Sequence, residues 1–503
     1  MLAALPIAVI LLLMIGARWS AARAGSVGLI VALLVAWFGF GLGTTVMPEL
    51  GVARTTGGAL AEALFLALTV LWIIFPALCI HELQVRTGGM DVLQQAMGRV
   101  SGDPRIVALL VAWFFVLFVE GAAGFGTSVA LAAPFLVSAG FGRVTAVSIS
   151  LIGHAVGVSF GAVGTPVLPQ VALSGFSALE IAGATADYHV LLGWMMPLVV
   201  MLLAARALPG GARDTPLWGW TLFAALCFLL PYYLLARFVG PELPTLAGAL
   251  LGALLFIAAL RLARRRQPEQ QAQTNTGYAD LLRASAPYLL LIVLIALTRL
   301  VPSVQRSLRA TTIAWDYAAF SGSMQILYHP GTLLLLSFAL GALLQRAQLA
   351  AVGATLAEVA RRLMPVTVAL IAMLGLSRVM VHAGMIDAMA LAAASSTGNW
   401  WPLFAPAIGA LGTFVTGSAT ASNILFTEFQ VATAQQLGFS VLGLIAAQGF
   451  GAAVGNITCP HNIVAASATV QLVGREGEVL RQTVLVTVGY VLLGGLLALL
   501  LFA

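Results

Sequence analysis

Lysine is absent from this chain: all 24 basic residues are arginine. That uniformity reads as genome composition and carries no functional weight. Charge of either sign is scarce, at 8% of residues against about 25% in a soluble domain, while 61% of residues are apolar. A water-soluble enzyme is thereby excluded, and the 503 residues have room for on the order of a dozen membrane crossings at about 20 residues each. The three cysteines, Cys79, Cys227 and Cys459, lie far apart and match neither a disulfide framework nor a metal site. No Ser–His–Asp spacing, metal motif or phosphate loop stands out, which speaks against a membrane-embedded enzyme and against direct ATP drive. No cofactor, metal or nucleic-acid partner is therefore expected. The net charge of +6 fits the arginine bias of loops facing the cytoplasm. No stretch alternates at barrel period, so the expected class is an all-α, multi-pass membrane protein.

Apolar runs predict spans near 4–17, 26–43, 58–80, 106–119, 144–160, 188–207, 217–239, 244–262, 286–302, 331–345, 364–380, 402–415, 440–456 and 484–502. The first has no basic residue ahead of it and reads as a membrane helix, not a cleaved leader. Segments 120–140 and 416–439 are too rich in small residues to read as ordinary spans. The one soluble-looking linker, 261–283, opens Arg261-Leu-Ala-Arg264-Arg265-Arg266 and is placed on the cytoplasmic side. It divides the chain into halves 1–260 and 284–503, each expected to hold one hairpin and one broken helix.

A shift of 296 residues lays Val85, Gly88 and Asp91 over Val381, Gly384 and Asp387, and Glu120-Gly121, Ala123 and Thr127 over Thr416-Gly417, Ala419 and Asn423. With a slipped register, Gly161-Ala-Val-Gly164-Thr165-Pro166 matches Gly451 to Pro460. Duplicated halves interrupted by glycine at corresponding places are the pattern of secondary transporters, and the interruptions point to the binding site. Whether the two halves are inverted depends on the parity of the crossings, and the residues leave it open.

The first cluster is Glu120-Gly-Ala-Ala-Gly124-Phe-Gly126-Thr127-Ser128, with no other charge between Arg105 and Arg143. Its glycines weaken a continuous helix, each by about 1 kcal/mol against alanine. A break there frees N–H groups for an anion, although close helix packing would use the same glycines. The second cluster, Thr416-Gly417-Ser418-Ala-Thr420-Ala-Ser422-Asn423, carries five hydroxyl or amide side chains that need partners in hydrocarbon. A second break follows each cluster, at Gly164-Thr165-Pro166 and at Gly455-Asn456 before Pro460. Four half-helix ends would then converge on a pocket suited to a small carboxylate. Glu120 is the first candidate to carry a proton, since intramembrane carboxylates are functional by default. His154 and Asp387 are further candidates, against readings as a hydrogen-bonded core histidine and a helix cap. Arg378 faces the substrate carboxylate, pairs with Asp387 or lies at an interface.

The run Glu120-Gly-Ala-Ala-Gly-Phe-Gly-Thr127-Ser-Val-Ala followed by Phe160-Gly-Ala-Val-Gly-Thr-Pro166 resembles the lactate permease family. Phe414-Val-Thr-Gly-Ser-Ala-Thr-Ala-Ser-Asn423-Ile-Leu-Phe426 and Val473-Gly-Arg475-Glu476-Gly477-Glu478 resemble it too. The likeness covers residues 60–165 and 375–482. It departs from the family's usual pattern at Ser128, Ala419 and Cys459-Pro460-His461-Asn462. The resemblance implies a bacterial inner-membrane symporter of L-lactate, D-lactate or glycolate with a proton, built from two repeats with re-entrant hairpins and moving one domain as an elevator. Sodium coupling through freed carbonyls at Gly164 or Gly455 is the alternative, and both a monomer and a homodimer are open.

Overall fold

The computed structural model describes residues 2–17, 19–98, 100–124, 126–208, 216–264 and 277–502. The middle of the linker, 265–276, lies outside the described residues, so its placement on the cytoplasmic side stays an expectation. Helices dominate because a backbone in hydrocarbon must satisfy its own polar groups, and these apolar runs offer no other pairing. Among the described residues, ten helices are long and apolar enough to cross a membrane, or eleven with one bent pair counted as a span.

The chain begins with α1 (Leu5–Ile15), α2 (Ala21–Phe38), the long α3 (Gly51–Arg86) and α4 (Gly89–Gly98). Next come α5 (Pro104–Leu109), a wide π turn over Leu110–Phe115, and α6 (Val116–Ala122) in one continuous run, followed by α7 (Thr127–Ser138). Then α8 (Arg143–Val158), the one-turn α9 (Gly161–Gly164) and α10 (Val167–Ser174) make a broken helix. Two antiparallel crossings follow the bent pair: α11 (Ala178–Leu192), α12 (Met195–Arg206), α13 (Trp218–Phe238) and α14 (Pro244–Arg264). The second half runs α15 (Tyr278–Leu300), α16 (Pro302–Arg309), strands β1 (Ile313–Tyr317) and β2 (Phe320–Met324), α17 (Pro330–Leu344) and α18 (Leu349–His382). It ends with α19 (Met385–Thr397), α20 (Trp401–Thr416), α21 (Ala419–Leu437), α22 (Val441–Gly455), α23 (Pro460–Thr469) and α24 (Glu476–Phe502).

The order long helix, short helix, helical hairpin, broken helix therefore occurs twice, as α3 to α10 and as α18 to α23. Gly88 and Gly384, 296 residues apart, both turn the chain in the left-handed region, with φ of 73° and 72°.

Segment 416–439 is not among the helices long and apolar enough to cross, although it contains the continuous 19-residue helix α21, with Gly417 at the turn before it and Gly438 capping its end. Two expectations are corrected. The run 4–17 folds as an 11-residue helix, about 16 Å at 1.5 Å per residue and too short to cross. The linker is not the sole extramembrane segment: 301–329 forms α16 and an antiparallel β-hairpin with Ile313 opposite Met324 and Tyr317 opposite Phe320. Its Trp-Asp-Tyr and Ser-Gly-Ser runs are too short to register as barrel strands.

Small residues set the packing, as lipid supplies no hydrophobic drive between helices. Where Gly28 of α2 faces α18, a Cβ would stand 3.2 Å from Leu376 and 2.5 Å from Ile10. On α20 and α22, Cβ atoms at Gly409, Gly451 and Gly455 would strike the carbonyls of Gln448, Pro406 and Ala410. Gly451→Val should cost about 1–3 kcal/mol of overpacking and lower the thermal unfolding midpoint of the detergent-purified protein. An unchanged midpoint would show that α20 and α22 do not approach this closely.

Candidate substrate site

Each hairpin turns on a left-handed glycine, Gly126 before α7 (φ 78°) and Gly417 after α20 (φ 79°). Hydroxyls fix both turns. Thr127 donates to the Gly124 carbonyl at 2.7 Å, and Thr416 donates to the Gly412 carbonyl at 2.7 Å. Ser418 starts α21 by accepting from the Ala421 N–H. Between α8 and α10, Ala162, Val163 and Gly164 are all left-handed, with φ of 42°, 56° and 79°. For a β-branched residue such as Val163 this costs roughly 1–2 kcal/mol, a strain of the kind found at functional sites. The second break, Asn456 to Cys459, has no left-handed residue.

The two hairpin tips and the two breaks meet around one small cavity. Glu120 and Gly124 come from the first hairpin, and Val158, Gly161, Ala162, Thr165 and Pro166 from the first broken helix. The second hairpin supplies Gly417, Ser418, Ala419 and Thr420, and the second break supplies Asn456. Glu120 is buried, and one carboxylate oxygen accepts from the Ser128 hydroxyl at 2.7 Å. The other lies against Gly161, where a Cβ would come within 2.6 Å of it. Glycine at 161 is thus what admits the carboxyl to the cavity.

Other expected residues stand just behind the lining. The Asn423 amide donates to the Pro166 carbonyl at 2.7 Å and accepts from Gln448 at 2.8 Å. It ties the second hairpin to the break of the first broken helix. Ser422 bonds within its own hairpin, to the Gly409 carbonyl at 2.7 Å. Gly164 packs on the Pro241 carbonyl and Gly455 on that of Ala410. Asn456 accepts from Asn462 at 2.6 Å.

Three expected residues are not brought to the cavity. His154 is a core histidine whose Nδ1 lies 2.7 Å from the Leu151 carbonyl. Asp387 is exposed in the first turn of α19, where a carboxylate complements the helix dipole. Arg378 pairs with Glu428 and, at 3.9 Å, with Glu62, instead of with Asp387 or the cavity. Sequence reasoning passed over Glu62, although it is the lone charge between Arg54 and His81 of an apolar run and the rule that selected Glu120 applies to it equally. The bracing amides Gln170, Gln448 and Asn462 carried no motif. Gln170 donates to the Ile445 carbonyl at 2.7 Å across the two halves.

A profile described as "L-lactate permease" matches residues 1–325 and 309–503, together the whole chain. The chain belongs to the L-lactate permease family. It is 30% identical to the L-lactate permease of Streptococcus iniae over 87% of this chain and 91% of that protein. It is 27% identical to the glycolate permease GlcA of Escherichia coli K12, over 92% and 88% respectively. Among solved structures, the Alcanivorax borkumensis YdaH transporter aligns with a TM-score of 0.54 at 15% identity, covering 95% of this chain and 97% of that one. Neisseria gonorrhoeae MtrF, described as one of a class of antimetabolite efflux pumps, aligns at 0.51 and 14%, covering 94% of each. These two share the fold. The permease is thus a multi-pass bacterial membrane protein of a transport family.

Asn423→Ala should remove the bond to the Pro166 carbonyl and the shorter of the two bonds made by the Gln448 amide, at about 1–3 kcal/mol for buried polar groups that lose a partner. A drop of several degrees in the unfolding midpoint is expected. If the midpoint holds, Asn423 does not brace the two halves.

Proposed function

We propose that this permease is a proton-coupled symporter of a small 2-hydroxy monocarboxylate, L-lactate first, with D-lactate and glycolate in the same class. The observation that carries the reading is the convergence of four broken helix ends and Glu120 on one small cavity. Helix ends offer N–H groups to a carboxylate, and the hydroxyls of Ser418, Thr420 and Thr165 with the Asn456 amide offer further contacts. The family names of the relatives, lactate and glycolate permease, support the substrate class.

Glu120 gives the coupling a physical basis. Two carboxylates sharing one small, buried cavity repel. A proton on Glu120 removes that repulsion, so anion and proton enter together. One anion with one proton is electroneutral, and a membrane potential, worth about 2.3 kcal/mol per charge per 100 mV, supplies no drive. The twofold element order of α3 to α10 and α18 to α23 supports the reading of two inverted repeats with re-entrant hairpins.

The test is uptake of labelled L-lactate into proteoliposomes under an imposed pH gradient without sodium. Accumulation should collapse when the gradient is dissipated, compete with glycolate and ignore an imposed potassium diffusion potential. Glu120→Gln should abolish accumulation and spare counterflow in part. Uptake that appears only with sodium would move the coupling to freed carbonyls at the breaks. Full accumulation by Glu120→Gln would remove Glu120 from the proton path.

A further inference from the structure

Outside the cavity lies a second polar cluster within the spans. The His382 Nε2 at the end of α18 is 2.8 Å from a Glu62 carboxylate oxygen on α3. The other Glu62 oxygen accepts from the Ser321 N–H of β2 at 3.0 Å. Arg378, one turn back on α18, stands 3.9 Å from Glu62 and pairs with Glu428 of α21. Ser377 donates to the second Glu428 oxygen at 2.7 Å. The cluster thus links α3, α18 and the β-hairpin to the helix that carries Thr420 and Asn423.

Its charge does not close without a proton. Two carboxylates and one guanidinium leave one negative charge, and a protonated His382 brings the sum to zero. An uncompensated charge buried in protein is costly. The remaining neighbours supply no compensation. The only charged residue of α2 is Arg23 in its first turn, and α2 meets α18 through Gly25 and Gly28. The β-hairpin presents the buried Phe320 ring to His382, with centroids 4.7 Å apart. On α19, Asp387 is exposed. The four charged or ionisable side chains keep 10–12% of their surface accessible, enough for water to deliver a proton.

We propose that His382, Glu62, Arg378 and Glu428 form a proton-binding site separate from the substrate cavity, and that its occupancy sets how firmly the second hairpin is held against α3 and α18. One N–H bond forms on the His382 ring, with the proton taken from water, and the same bond breaks when it leaves. With His382 protonated, Glu62 is neutralised by the ring and Arg378 is free to hold Glu428 alone, latching the hairpin. With His382 neutral, Glu62 and Glu428 compete for Arg378 and the latch loosens. This deepens the symport reading and rests on it for the link to transport.

Two measurements test it. In the proteoliposome assay, His382→Gln should reduce gradient-driven accumulation about tenfold, a coupling of ordinary size, with counterflow within about twofold of the unsubstituted protein. Unchanged accumulation would overturn the site. The second readout needs no substrate. In purified protein with isotope-labelled histidine, the His382 ring resonance, identified by its loss in His382→Gln, should change reversibly as protons are added and removed. The change should differ in Glu428→Gln, which retains an acceptor for Ser377. A ring resonance that does not respond, or that responds identically in Glu428→Gln, would overturn the proposal. If the unsubstituted protein fails to carry lactate while the ring behaves as stated, the substrate assignment falls and the proton site stands.

Discussion

A helix broken inside hydrocarbon has to find partners for every backbone group it frees, and much of the centre of this permease follows from that requirement. The chain breaks twice as a broken helix and twice as a hairpin, all four at one place, so the loose ends face one cavity instead of lipid. What remains unsatisfied is met by amides. Asn423 takes the Pro166 carbonyl, Gln448 takes Asn423, Asn462 takes Asn456, and Gln170 takes the Ile445 carbonyl. Two of these four bonds lie within the second hairpin and broken helix or join them, and two reach across from one half of the chain to the other. The cavity is therefore held open by the same bonds that make the breaks tolerable.

The breaks also explain the glycines. Close approach is the cheapest attraction between helices when the surroundings are as apolar as the side chains. Along α20 and α22 the missing Cβ atoms let three carbonyls of one helix sit on the backbone of the other. At Gly161 the vacancy is taken instead by the Glu120 carboxyl. The same residue type thus does two jobs, and only the partner distinguishes them.

That ambiguity marks how far the sequence was legible. The helices long and apolar enough to cross mostly overlap apolar runs of the sequence, although α3, the α11–α12 pair and α18 begin well before the run that marked them, and both hairpins were visible as clusters of small and hydroxylic residues. Seven of the residues selected for the cavity line it: Glu120, Gly124, Thr165, Gly417, Ser418, Thr420 and Asn456. Others, such as Ser422 and Gly455, sit one layer behind, because a helix turns its face every residue and a sequence cluster marks a region, not a side. Arg378 was less legible for a different reason. Its partners Glu62 and Glu428 are more than 300 residues apart in the chain, and no spacing rule connects them before the helices are packed. The β-hairpin escaped notice because strands of five residues carry too little pattern.

The two carboxylate sites divide the electrostatic work. The cavity lining contains Glu120 and no basic residue. A fixed arginine there would neutralise an incoming anion without any proton and would leave a positive charge behind when the anion departed. Under the proposed symport, a lone carboxyl instead makes the neutral, protonated state the one compatible with substrate. The Arg378 cluster has the opposite composition, with a permanent cation shared between two carboxylates on different helices. Such a cation does not leave with the substrate, and its choice of partner is a matter of which helix is close. Cargo chemistry belongs at the first kind of site, where charge must vanish and reappear. Holding a hairpin against its neighbours belongs at the second, where a proton on His382 decides which carboxylate the cation pairs with.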